Sequence, residues 1–189
     1  MWSMPSRRWC SYLIVSTLVS ACAGSGCALS EEAGASTTAA ARPVPCSSAE
    51  HRQFDFWLGD WEVRNPAGKV VGHNRIVSIH NGCALQENWT GNGNFTGTSL
   101  NGYDADRKAW HQTWVDSGGG LLRLEGGIVA GSMVLRGQSR SADAAGGVAL
   151  QRITWTPQLD GRVRQHWEAS NDGGKTWATA FDGMYARQP

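Results

Sequence analysis

The chain has 189 residues, the size of one ordinary domain, and a net charge of +1, so there is no basic field to suggest nucleic acid. Ten Trp stand beside only three Tyr and four Phe, and 24 Gly against six Pro point to many turns and bulges, as in an all-β protein.

Residues 1–22 read as a signal peptide. Arg7 and Arg8 give a positive head, and WCSYLIVSTLVSA is apolar but too short to span a bilayer. Its end, Val19-Ser20-Ala21-Cys22, resembles a bacterial lipobox, which predicts a lipidated Cys22; the alternative is ordinary cleavage after Ala21-Cys22-Ala23. Either route predicts an exported protein, periplasmic or held at the outer membrane as a lipoprotein, that meets membrane only through a lipid anchor. Residues 23–45 are small and polar with no apolar period and read as a disordered tether, leaving 46–189 as the folded domain. Export permits disulfides. Cys10 leaves with the signal, Cys22 is the lipidation candidate and Cys27 lies in the tether, so Cys46 and Cys83 are the natural pair; two free, buried thiols are the alternative.

Ser47 with Glu50 three residues on has the form of a capping box and predicts a turn or two of helix before Phe54. From Gly59 onward, short alternating runs are punctuated by turn residues: PAGK, NGC, GNGN, ADRK, SGGG, SADAAGG, QLDG and NDGGK. They delimit ten candidate strands with no helical period between them, which excludes βαβ units. A meander of that length must curl to hide its edges, so the predicted fold is all-β, an up-and-down antiparallel barrel of about ten strands, with a sandwich as the alternative.

The stretch FDFWLGDWEV, Phe54 to Val63, with GCALQENW, HQTWVD, RITWTP and DGGKTW, resembles an uncharacterised bacterial exported family of lipocalin-like, calycin-type barrels with an FDFWxGxWxV signature, over residues 46 to 187. The resemblance implies fold and compartment and no activity. It also implies that Gly59-Asp60-Trp61 lays an indole across the closed end of the barrel, with the short helix as a plug, and that Arg187 stacks on Trp61. SNDGGKTW, Ser170 to Trp177, fits the Asp-box pattern of sialidase-like propellers. It occurs once, whereas propellers repeat it, and is read as a hairpin turn.

Period-two alternation places Trp110, Gln112, Trp114 and Asp116 on one face, Leu85, Glu87 and Trp89 on another, then Ile153 with Trp155, Val163 with Gln165 and Trp167, and Trp177, Thr179, Phe181 and Tyr185 on the last strand. The Trp-bearing faces are the expected interior. Glu87, Gln112 and Gln165 travel with them, and each is costly to bury without a partner. One explanation is internal pairing, with Arg75 reaching Glu87 from the neighbouring strand and the Gln amides accepting from indole N–H groups. The other is a pocket for a small apolar or amphipathic ligand among Arg75, Glu87, Trp89, Trp110, Gln112, Trp114, Trp155, Gln165 and Trp167. An enzyme using the same cavity, with Glu87 as general acid or base, and an envelope protein with a filled barrel are the rival readings. Asp116 is a weaker acid–base candidate beside a Gly-rich turn. The five His have no metal-ligand spacing, no Gly-x-Ser-x-Gly or phosphate loop is present, and no metal or cofactor is expected.

Overall fold

The computed structural model describes residues 44–188. The expected signal peptide over residues 1–22, the lipidation candidate Cys22 and residues 23–43 of the expected tether lie outside the described residues.

The expected helix is two consecutive 3-10 turns, Ala49–Arg52 and Asp55–Trp57. No capping box forms, because the Ser47 hydroxyl donates to Val44 O at 2.8 Å and Ser48, not Ser47, precedes the first turn. Segments this short are closed by i→i+3 bonds, such as Trp57 N–H to Phe54 O at 3.1 Å.

Ten strands follow: β1 (Gly59–Arg64), β2 (Val70–Ile79), β3 (Ala84–Gly91), β4 (Thr96–Asp104), β5 (Ala109–Asp116), β6 (Leu121–Val129), β7 (Ser132–Arg140), β8 (Val148–Pro157), β9 (Val163–Ser170) and β10 (Ala178–Arg187). Each pairs antiparallel with its neighbour in sequence, and β1 pairs with β10, so the sheet is a closed up-and-down meander barrel. Closure leaves no edge strand to template aggregation. The alternation and turn chemistry predicted this fold.

The two ends of the barrel differ. The Cys46–Cys83 disulfide, Cα–Cα 5.0 Å, ties the lead-in segment to the turn after β2, and the Arg52 guanidinium donates to Gly82 O beside it. This draws Phe54 and Trp57, both fully buried, across that end. Phe54 stacks on Trp57 with centroids 4.9 Å apart and meets Trp110 and Trp155 edge-on at 5.7 and 5.2 Å. Trp61 Nε1 donates to Trp57 O at 2.9 Å, and Arg187 lies 4.5 Å over the Trp61 ring from the solvent side. Gly59 is required between them. Its φ is 139°, and a Cβ would collide with the Arg187 guanidinium.

Two strands depart from the expected phase. On β2, Asn74 and Ile76 face inward, while Arg75 faces out toward Asp60 at 3.6 Å. A bulge against β1, where Val63 opposes Gly72 and Arg64 opposes Val70, sets this register. On β10, a second bulge between Thr179 and Phe181 sends Phe181 and Tyr185 inward and Thr179 outward, where its hydroxyl meets His166 Nε2 at 3.0 Å. Trp177 leaves the strand altogether and lies in the preceding loop. The Asp-box stretch is that loop, joining β9 to β10. The Asp172 carboxylate accepts from Ser170 Oγ, Thr176 Oγ1 and the Lys175 and Thr176 N–H groups at 2.6–2.9 Å. These bonds, the Thr176 hydroxyl first, hold its carboxyl far below the usual range. Arg152 covers Trp177 at 4.2 Å, so the motif is a hairpin clasp.

Candidate functional site

The inner faces of the strands enclose a cavity of about 360 Å³ that reaches the β3–β4 turn, where Gly91, Asn92 and Phe95 line it. Trp89, Trp114, Trp167 and Phe181 wall its outer part; Trp155, Ile153 and Leu122 lie deeper. One wall is polar, formed by Glu87, Gln112, Gln165 and Tyr185. The indoles fit because small residues oppose them. The Trp114 ring occupies the space that a Cβ on Gly97 would fill.

Seven residues of the predicted set therefore line one cavity: Glu87, Trp89, Gln112, Trp114, Trp155, Gln165 and Trp167. Arg75 does not, because the β2 register turns it to solvent. Trp110 faces inward as predicted, but it sits at the plugged end. There its Nε1 donates to Glu50 O and Gln53 Oε1, both at 3.2 Å, and it seals the barrel instead of lining the cavity. Asp116 lies at the mouth, where its carboxylate accepts from Trp114 Nε1 and from the Gly118 and Gly120 N–H groups, all at 2.9 Å. It braces the Trp114 indole and the β5–β6 turn.

The polar wall is a continuous chain of hydrogen bonds linking side chains of six strands, β5, β4, β3, β2, β10 and β9, and it passes over β1 between β2 and β10. Gln112 Nε2 donates to Asn101 Oδ1 at 2.8 Å, Asn101 Nδ2 to Ser99 Oγ at 2.9 Å, and Ser99 Oγ to Glu87 Oε2 at 2.6 Å. On the other side of the carboxylate, Asn74 Nδ2 donates to Glu87 Oε1 at 2.7 Å and to the Tyr185 hydroxyl at 3.2 Å. Tyr185 in turn donates to Gln165 Oε1. Asn74 takes the place beside Glu87 that sequence reasoning gave to Arg75. The substitution matters, since it leaves Glu87 hydrogen-bonded by neutral donors only.

Burial pushes the Glu87 carboxyl up to about 7, and the bonds from Ser99 and Asn74 oppose the rise without cancelling it. Tyr185 is raised well above its ordinary value by burial first and then by the nearby Glu87 charge, so its phenol stays neutral. Glu87 is thus the one group of the wall that changes charge near neutral pH.

Asn74, Ser99 and Asn101 were not among the predicted residues. Strands β2 and β4 carry no Trp to mark their inner face, so their phase was not set by the aromatic rows. A signal for β4 did exist. Asn101 pairs with Gln112 and Ser99 with Trp114, which counting back through the Ala105–Lys108 turn reaches. The β2 phase had none, because the bulge at Val71 breaks the count. Indole N–H groups do bond to Gln amides, but to other Gln than those expected: Trp167 Nε1 donates to Gln151 Oε1 at 2.6 Å, and Trp110 to Gln53.

Among the described residues no group of three or more His, Cys, Asp or Glu is placed to hold a metal ion. No protein-family model matches the chain, and no curated protein matches it significantly.

Proposed function

We propose that this protein is an exported binder of a small apolar or amphipathic molecule, held among Trp89, Trp114, Trp155 and Trp167 with its polar end on the Glu87 wall. The observation that carries the reading is the cavity itself. An apolar enclosure of about 360 Å³ with a few convergent polar groups is what small-molecule sites share, and it counts against a filled structural barrel. Membership of the lipocalin-like class is supported by the Gly59-Asp60-Trp61 lead-in and the stacking of Arg187 on Trp61. Export is supported by the signal-like residues 1–22 and by a disulfide of the kind oxidising compartments allow.

Titration with the neutral fluorophore N-phenyl-1-naphthylamine tests the binding reading. Stoichiometric uptake with energy transfer from Trp, weakened by Trp114→Ala, is expected; absence of a saturable site refutes it. For the compartment, labelling with a palmitate analogue in a bacterial host should mark the full chain and fail for Cys22→Ala.

The raised Glu87 carboxyl favours a second reading, general acid–base catalysis in the same cavity. Glu87→Gln separates the two: an enzyme keeps binding and loses turnover, whereas a binder has no turnover to lose.

A further inference from the structure

Among the described residues, the ionisable side chains that line the cavity are Glu87 and Tyr185. Among the described residues no Lys, Arg or His lines it, and the nearest cation expected from sequence, Arg75, is turned out to Asp60. The groups that face Glu87 from the neighbouring strands are Asn74 on β2, Ser99 on β4 and Tyr185 on β10, none of which bears charge at neutral pH. A carboxylate 5 % exposed, held by the Ser99 and Asn74 hydrogen bonds but with no countercharge among the described residues that line the cavity, gains further stabilisation from a proton or from a cation brought from outside. The remaining walls suit such a cation. Indole and phenyl faces carry partial negative charge and attract ammonium groups, most strongly where water is excluded. An anionic ligand would meet repulsion from both the carboxylate and the rings.

We propose that the cavity selects an organic cation, an apolar amine or quaternary ammonium compound whose charged head is caged by the indoles and balanced by Glu87. The proposal rests on reading the cavity as a small-molecule site and names the class of molecule it takes. Without a cation Glu87 holds its proton near neutrality, consistent with its raised ionisation. Binding of the cation then expels that proton.

Calorimetric titration of the folded protein with benzyltrimethylammonium and with its uncharged isostere neopentylbenzene tests this. The probe's charge is fixed, so any pH dependence belongs to the protein. The cation should bind more tightly than the isostere. Its affinity should rise roughly thirtyfold from pH 5.5 to 8, because protons compete below about 7 by up to tenfold per unit. Glu87→Gln should flatten that profile and weaken the cation about thirtyfold at pH 8, leaving the isostere unchanged. If the isostere binds as well or better and the cation shows no pH dependence, the cation class is wrong while the cavity remains a binding site. If neither probe binds, both proposals fall. The wild-type pH profile needs no variant, so a misfolded Glu87→Gln protein cannot rescue the idea.

Discussion

The carboxyl of Glu87 has a folded value of about 7, against 4.5 when unperturbed. Between those values the folded state holds a proton that the unfolded chain has released. Stability therefore falls as pH rises from about 4.5 to 7, by on the order of 3 kcal/mol, and then levels off. Urea melts at pH 5 and 8 measure this, and Glu87→Gln should remove the slope and be the more stable protein at pH 8. A wild-type profile that is flat across that range would contradict the burial of Glu87. Its neighbour Gln112 sits in the same network with a different role. It donates to Asn101, which is 1 % exposed, so Gln112→Leu strands that carbonyl oxygen and should cost about 1–3 kcal/mol in a denaturant melt. By contrast, Gln165 holds the Tyr185 hydroxyl from the rim of the cavity.

At the scale of elements, the lead-in segment acts as a plug only because two anchors hold it. The disulfide spans 37 positions of sequence, and the chain-entropy account gives about 4 kcal/mol for closing such a loop. Reduction, or Cys46→Ser with Cys83→Ser, should lower the urea midpoint accordingly and leave the β-sheet circular-dichroism signal in place. Trp61 is the second anchor. Trp61→Ala removes an indole that touches Tyr185, Trp57 and Arg187, and about 3–5 kcal/mol should go with it. A neutral result would show that the plug is held elsewhere. At the mouth, the pairing of β4 with β5 depends on Gly97 lying under Trp114. Gly97→Ala should displace the indole and cost about 1–3 kcal/mol through overpacking, with a shifted Trp emission as its signature.

For the whole molecule, closure joins the first strand to the last: Trp61 opposes Arg187 and Val63 opposes Tyr185. Such a pairing demands that nearly the entire domain be gathered before the ladder closes, which makes folding slow. Refolding followed by Trp fluorescence should fall in the millisecond-to-second range, and a submillisecond phase carrying the full amplitude would conflict with this topology. The same closure separates two environments. One end is sealed by Phe54, Trp57, Trp61 and Trp110, while the other leaves the Trp89, Trp114 and Trp167 walls around open volume.

Local chemistry in the sequence determined the ten strands, their order and their hairpin connections, because turn residues and period-two alternation act over a few positions. It also determined which faces of β3, β5, β8 and β9 carry the indoles, and hence that Glu87, Gln112 and Gln165 lie among them. The Cys46–Cys83 pair was legible by elimination among the five cysteines, on the expectation that the chain is exported. Tertiary structure alone decided the rest. The bulges on β2 and β10 reverse inside and outside, which replaces Arg75 with Asn74 at the Glu87 carboxylate and removes Trp177 and Thr179 from the interior. Depth along the barrel was likewise invisible, since alternation gives a residue's side but not its height, and height is what puts Trp110 in the plug and Trp114 in the cavity. A bulge adds one residue to one strand to satisfy the twist and closure of the whole sheet, and no window of sequence carries that constraint.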